Sequence, residues 1–192
     1  MATNDRRPGG SSPIERQAED YVAMVARARA LIPALRERAA RTEELRRLPA
    51  ETEYDLHNAG LFRILQPRRV GGAELDYVAL IDCADALGQG DASVAWNFAN
   101  LASHHWMLGM FDPQAQDVVW SKEPNSLIAS SFIFPAGRAR KVDGGHVLTG
   151  SWSFSSGVES CEWNMLGSVV YSDDEADGVE YRIFLLDRKS VV

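Results

Sequence analysis

The run Asp143-Gly144-Gly145-His146-Val147-Leu148-Thr149-Gly150-Ser151-Trp152-Ser153-Phe154-Ser155-Ser156-Gly157 holds the side chains of this sequence best suited to binding chemistry. Asp143, Gly144 and Gly145 take positive φ cheaply and spell a hairpin turn between strands over residues 138–142 and 146–151. Beyond the turn, Trp152 and Phe154 alternate with Ser151, Ser153 and Ser155, which predicts one apolar edge and one row of hydroxyls. Ser156 and Gly157 then let the backbone approach something flat. Aromatic bulk, hydroxyl donors and bare backbone together suit a polar heteroaromatic ring such as an isoalloxazine. The same pattern also describes an amphipathic barrel strand with a serine-rich exit.

A second group lies upstream. Asp91 reads as the N-cap of the most apolar helix in the chain, over residues 92–110. Within it Trp96, Asn100 and His104 fall at i, i+4 and i+8 and form one stripe, prolonged by Leu108 and Phe111. His105 sits about 100° around the helix from His104, so it is assigned to structure. Adjacent histidines also make a poor metal pair, which wants a spacing of four on a helix.

The elements that must position these groups follow from periodicity. Ile14, Ala18, Tyr21, Val25, Ala28, Ile32, Leu35 and Ala39 mark an amphipathic helix, which Pro33 must kink or restart. Pro49 suits N1 of a short helix through Ala59, with Gly60 as its stop. A helix over 77–87 with Val78, Ile81, Ala84 or Asp85, and Leu87 at core-like spacing breaks at Gly88-Gln89-Gly90. Asp112-Pro113 opens another short helix through Trp120. Past residue 123 the period changes to about two. Strands are expected over 127–134, 138–142, 146–154, 163–171 and 179–186, with a turn-forming stretch at 173–178. Helices first and strands afterwards predict an α+β fold: an N-terminal helical domain over 14–123, then an antiparallel, barrel-like β domain over 124–192. Nothing after the last strand would cover a sheet edge, so this β domain is expected to be incomplete.

Composition narrows the function classes. The net charge is −7 with both signs interspersed, which gives no nucleic-acid footprint. Mean hydropathy is −0.22 and no apolar run is long enough to cross a bilayer. Residues 1–13 are polar, rich in Gly, Ser and Pro, and expected to be a disordered tail without a secretion signal. Cys83 and Cys161 are isolated and fit a reducing cytoplasm. The Gly88-x-Gly90-x-x-Ser93 spacing follows a helix, not a strand, so it is not a dinucleotide fingerprint. Walker motifs, Gly-x-Ser-x-Gly elbows and zinc spacings are absent from the sequence.

Four stretches together resemble the acyl-CoA dehydrogenase superfamily: Leu48-Pro49 with Ala59-Gly60-Leu61-Phe62; Gln66-Pro67-Arg68-Arg69-Val70-Gly71-Gly72; Gly90-Asp91-Ala92-Ser93-Val94-Ala95-Trp96; and Gly150-Ser151-Trp152-Ser153-Phe154-Ser155-Ser156-Gly157. Within it the chain most resembles the oxygenase components of two-component, flavin-dependent aromatic monooxygenases, such as those acting on para-hydroxyphenylacetate and 3-hydroxy-secosteroids. Two features carry this narrower resemblance. The serine-rich run replaces the Trp-Ile-Thr-like run of the dehydrogenases, and Ser130-Ser131-Phe132-Ile133-Phe134-Pro135-Ala136-Gly137 replaces their Thr-Glu-Pro pattern. The resemblance begins near Ile14, yet it covers only about half of such proteins, which continue into a C-terminal helical bundle. Either the chain is a truncated version or another chain supplies that half.

The resemblance implies a reduced flavin, FMN or FAD, delivered by a separate flavin reductase. With O2 it would form a C4a-hydroperoxide that hydroxylates a small aromatic substrate. It also implies a homo-oligomer, a tetramer if the C-terminal domain is supplied. The hydroperoxide must be kept dry and hydrogen-bonded, and the phenol pushed toward phenolate. For the latter His104 is the candidate, since a neutral imidazole can accept or share the phenolic proton. Its bland alternative is a core histidine satisfied by a carbonyl. Ser130 is the candidate donor near the substrate oxygen or flavin edge, and a one-residue register change would exchange it with Ser131. Ser155, assisted by Ser156, is the candidate at the flavin N5 region, or else a turn-capping serine. Trp96 is expected beside the substrate and Trp152 beside the flavin, although core packing explains either. The rivals are an acyl-CoA dehydrogenase-like oxidoreductase and a catalytically silent assembly module.

Overall fold

The computed structural model describes residues 13–171 and 179–190. The tail expected over 1–13 lies outside the described residues except for Pro13, and so does the turn at 173–178. Helix α1 (Pro13–Leu45) runs through Pro33 without a restart. It enters the core only from Tyr21 onward, through Met24, Val25, Ala28, Leu31 and Leu35, whereas Ile14 at the start of the expected stripe is exposed. Pro49 stands one residue ahead of its expected place, as the N-cap of α2 (Ala50–Asn58), and Gly60 follows with φ of 73°. Such a left-handed value costs a glycine little.

Helix α3 (Tyr77–Gly88) buries Ala79, Leu80, Cys83, Ala86 and Leu87. Val78 and Ile81, expected at core spacing, are exposed instead. Both phases of this helix are apolar, so periodicity alone could not orient it. Helix α4 (Ala92–Gly109) packs between α3, α1 and the sheet, and Asp91 caps it by accepting from the Ser93 and Val94 amides. Helix α5 (Pro113–Trp120) is capped in the same manner by Asp112.

The five strands are β1 (Ile128–Ser131), β2 (Gly137–Val142), β3 (Gly145–Gly150), β4 (Trp163–Tyr171) and β5 (Glu180–Asp187). The sheet is mixed, not wholly antiparallel. β1 and β2 run parallel to β4 and share one of its edges, while β5 lies antiparallel along the other. The reason is local: a 3-10 turn over Phe134–Ala136 interrupts what would be one long strand, and the chain then resumes in the same direction. Among the described residues the sheet is open, with the outer edges of β3 and β5 unpaired. The expected strand over 146–154 stops at Gly150. Its partner β2 begins only at Gly137, so no ladder remains for the residues beyond. Trp152 and Phe154 therefore do not share a strand edge, and Phe154 takes a φ of 58° with 91% of its surface exposed.

Candidate active site along the fourth helix

Helix α4 carries candidate site residues at both ends of one face. Near its C-terminal end His104, 4% exposed, lies wedged against β1. Its Nδ1 is 2.7 Å from the Ile128 carbonyl oxygen and its Nε2 is 2.8 Å from Ser130 Oγ. A carbonyl can only accept, so Nδ1 carries the proton and Nε2 presents a lone pair. The Ser130 hydroxyl must then donate to Nε2, which leaves its own lone pairs for an incoming donor. Burial lowers the pKa of His104, opposed by the Ile128 bond, and the ring is neutral at pH 7. The Phe132 ring stands edge-on to the imidazole at 6.2 Å.

Ser130, not Ser131, reaches His104. Ser131 is buried and donates to the Ser153 carbonyl at 2.7 Å, which ties β1 to the serine-rich segment. His105 is a core residue, as its position on the helix predicts. Its Nε2 lies 3.1 Å from the Ser126 carbonyl, its ring meets Trp120 edge-on, and burial pushes its pKa down to about 4.

Two turns upstream, Trp96 is 63% exposed and its indole N–H donates to Ser156 Oγ at 3.0 Å. Helical rise separates Trp96 from His104 by about 12 Å. Beside Trp96 a cavity of about 320 Å³ is lined by Arg46, Arg47, Asn97, Ser155, Ser156 and Glu159, among others. It adjoins a cavity of about 490 Å³ that shares Arg46, Arg47, Trp96 and Asn97. Ser155 Oγ is buried and has no hydrogen-bond partner within the protein. An orphaned hydroxyl costs free energy unless something completes it, so its position fits a polar ring atom supplied by a ligand. A flavin edge, with N5 and flanking carbonyls, has atoms of that kind.

Trp152 is placed differently from Trp96. Its indole N–H donates to the Gly167 carbonyl at 2.8 Å, and its ring lies over Gly137 and Gly150, where any Cβ would collide with it. The structure thus brings together His104 with Ser130, and Trp96 with Ser155 and Ser156, along one seam, while Trp152 packs on the sheet. The buried His104 held by a carbonyl is the alternative stated from the sequence, but which carbonyl holds it, that of Ile128, has no residue signature. Sequence reasoning missed Arg46 and Arg47, which only the fold brings beside Trp96. The spacing of Phe132 two residues after Ser130 could have placed it on the same strand face.

This chain belongs to the acyl-CoA dehydrogenase family: residues 18–116 match the family's N-terminal domain. Its relatives narrow the class. It is 36% identical over 172 residues to the oxygenase subunit HsaA of a flavin-dependent monooxygenase from Mycobacterium tuberculosis, covering 90% of this chain and 43% of that one. The crystal structure of that HsaA superposes with a TM-score of 0.84 over 88% of this chain and 46% of its own. The oxygenase component of an FADH2-dependent resorcinol hydroxylase from a Rhizobium species is 33% identical, over 91% of this chain and 42% of its own length. XiaF from a Streptomyces species, solved with FADH2 and glycerol, gives a TM-score of 0.82 at 27% identity, covering 91% of this chain and 43% of its own. The chain thus spans less than half the length of these relatives. Among the described residues no helix is long and apolar enough to cross a membrane.

Proposed function

We propose that this chain carries the substrate-side and flavin-side residues of an oxygenase component in a two-component, flavin-dependent monooxygenase acting on a phenolic ring. The observation that carries the reading is the relay from the Ile128 carbonyl through His104 to Ser130. Ser130 Oγ accepts the phenolic O–H while its own proton moves to His104 Nε2. The Ile128 carbonyl holds Nδ1–H and steadies the imidazolium that results. A histidine with a depressed pKa is neutral at rest and so available as the acceptor. Loss of proton density raises the electron density of the ring carbons, which makes them nucleophilic.

A bound reduced flavin, FMN or FAD, supplies the electrons that convert O2 into an oxygen-transfer agent. Ser155 Oγ would complete its hydrogen bonding against the ring edge, and Ser156, which accepts from the Trp96 indole N–H, would steady the Trp96 face beside the bound ring system. A reductase that hands over the reduced flavin, a homo-oligomeric state and a cytoplasmic location complete the proposal. The named functions of the relatives, resorcinol hydroxylation among them, support it.

The test uses the purified chain, anaerobically reduced FAD or FMN, and a panel of simple phenols that includes resorcinol, mixed with 18O2. Expected is a hydroxylated product with one 18O atom. Flavin that reoxidises as it does free in solution, with no labelled product, overturns the reading and favours a silent assembly role.

A further inference from the structure

Residues 155–157 pass directly into the 3-10 turn Val158–Ser160, and the two share backbone bonds. The Val158 amide donates to the Ser155 carbonyl at 3.2 Å, and the Ser160 amide to the Gly157 carbonyl at 3.0 Å. Such a short turn leaves carbonyl oxygens facing one side with few partners of their own. One cation covers them. Arg188 Nη1 lies 3.1 Å from the Val158 carbonyl, 3.0 Å from that of Glu159 and 3.3 Å from that of Cys161. Two N–H hydrogens shared among three acceptors make a charge-assisted clamp across 27 to 30 residues of sequence. The Arg188 amide separately donates to the Glu162 carbonyl at 2.7 Å, so the backbone stays docked whatever side chain is present.

We propose that Arg188, at the end of β5, is a positioning residue that holds the turn Val158–Ser160 and thereby fixes Ser155 for the flavin edge. The inference rests on the flavin reading above. It assigns a task to a residue far from Ser155 in sequence and exposed in the fold. Arg188 touches neither substrate nor flavin in this scheme; it acts through three main-chain oxygens. A loosened turn lets Ser155 Oγ wander from the point where a ring atom would meet it, and a hydrogen bond to ligand weakens with that loss of preorganisation.

The experiment measures amide hydrogen exchange and reduced-flavin binding, the latter by anaerobic fluorescence titration, in the full chain and in Arg188→Ala, Arg188→Lys and Ser155→Ala. Expected for Arg188→Ala is exchange about tenfold faster at Val158, Ser160 and Cys161, with β4 amides unchanged, and flavin affinity lowered by about threefold to tenfold. Lysine keeps a charge able to reach the carbonyls and restores part of both. Unchanged exchange at the turn overturns the clamp. Faster exchange with unchanged flavin affinity, where Ser155→Ala does lower it, overturns the positioning role and leaves the flavin site standing. If Ser155→Ala and Arg188→Ala both leave flavin affinity unchanged, or the parent chain itself does not bind reduced flavin, the flavin reading fails and this inference fails with it. Should Arg188→Ala unfold, Arg188→Lys decides: its exchange and affinity must both lie measurably away from those of the parent chain.

Discussion

The two candidate clusters on α4, His104 with Ser130 and Trp96 with Ser155 and Ser156, differ in whether the candidate side chain has its partners within the protein. At the His104 end both ring nitrogens have partners, the carbonyl of Ile128 and the hydroxyl of Ser130, and the histidine is almost wholly buried. At the Trp96 end Ser155 Oγ is buried without a partner, and Trp96 and Phe154 stand largely exposed. A finished hydrogen-bond chain sets a proton acceptor in place before any substrate arrives. An unfinished one stores free energy that a ligand recovers on binding. Under the proposed function this contrast would put the proton acceptor at His104 and the flavin contact at Ser155.

The largest effect that would test this division is on turnover. His104→Ala is expected to lower hydroxylated product per reduced flavin consumed by about 100-fold or more, the usual size of a lost general base, while reduced-flavin affinity is retained. Equal product yield would remove His104 from the relay.

Next comes pH. Burial holds the pKa of His105 at about 4 and also lowers that of His104. Below the unfolded value near 6.5 the unfolded chain binds more protons than the native one. The stability contributed by these neutral rings is complete above pH 6.5 and is lost as pH falls through the folded values. His105 alone accounts for a drop on the order of 3 kcal/mol between pH 6.5 and 4. Urea titrations across that range should show the drop, and His105→Gln should flatten it.

Smaller effects separate the two serines. Ser130→Ala leaves a buried imidazole nitrogen without its donor and is expected to cost about 1–3 kcal/mol in urea denaturation. Ser155→Ala removes a hydroxyl that has no partner, so it should leave stability unchanged or raise it by up to about 1 kcal/mol. Equal destabilisation by the two substitutions would erase the contrast between the ends of the seam.

Much of this arrangement was legible before any coordinates. Asp91 and Asp112 cap their helices as their side chains predict, because capping is settled within three residues of chain. The spacing that puts Trp96, Asn100 and His104 on one stripe is likewise a local property of the helix. The flavin-oxygenase resemblance, carried by the serine-rich run, agrees with the relatives' names.

What failed was non-local. The alternation of Trp152 and Phe154 imitates a strand, but a strand needs a partner, and β2 supplies none past Gly137. The face of α3 was misjudged because both of its phases are apolar and only packing against α1 and α4 chooses between them.

The sequence by itself therefore determined the helix boundaries to within a residue or two, the change of period near residue 123, and which side chains could do chemistry, since each depends on neighbours a few bonds away. Tertiary structure alone decided that Ser130 and not Ser131 meets His104, that Ser155 Oγ has no partner within the protein although its residue lines the cavity beside Trp96, and that Arg188 grips the turn after Gly157. Those are meetings between segments tens of residues apart, and their geometry is set by how sheet and helix pack, which no local pattern encodes.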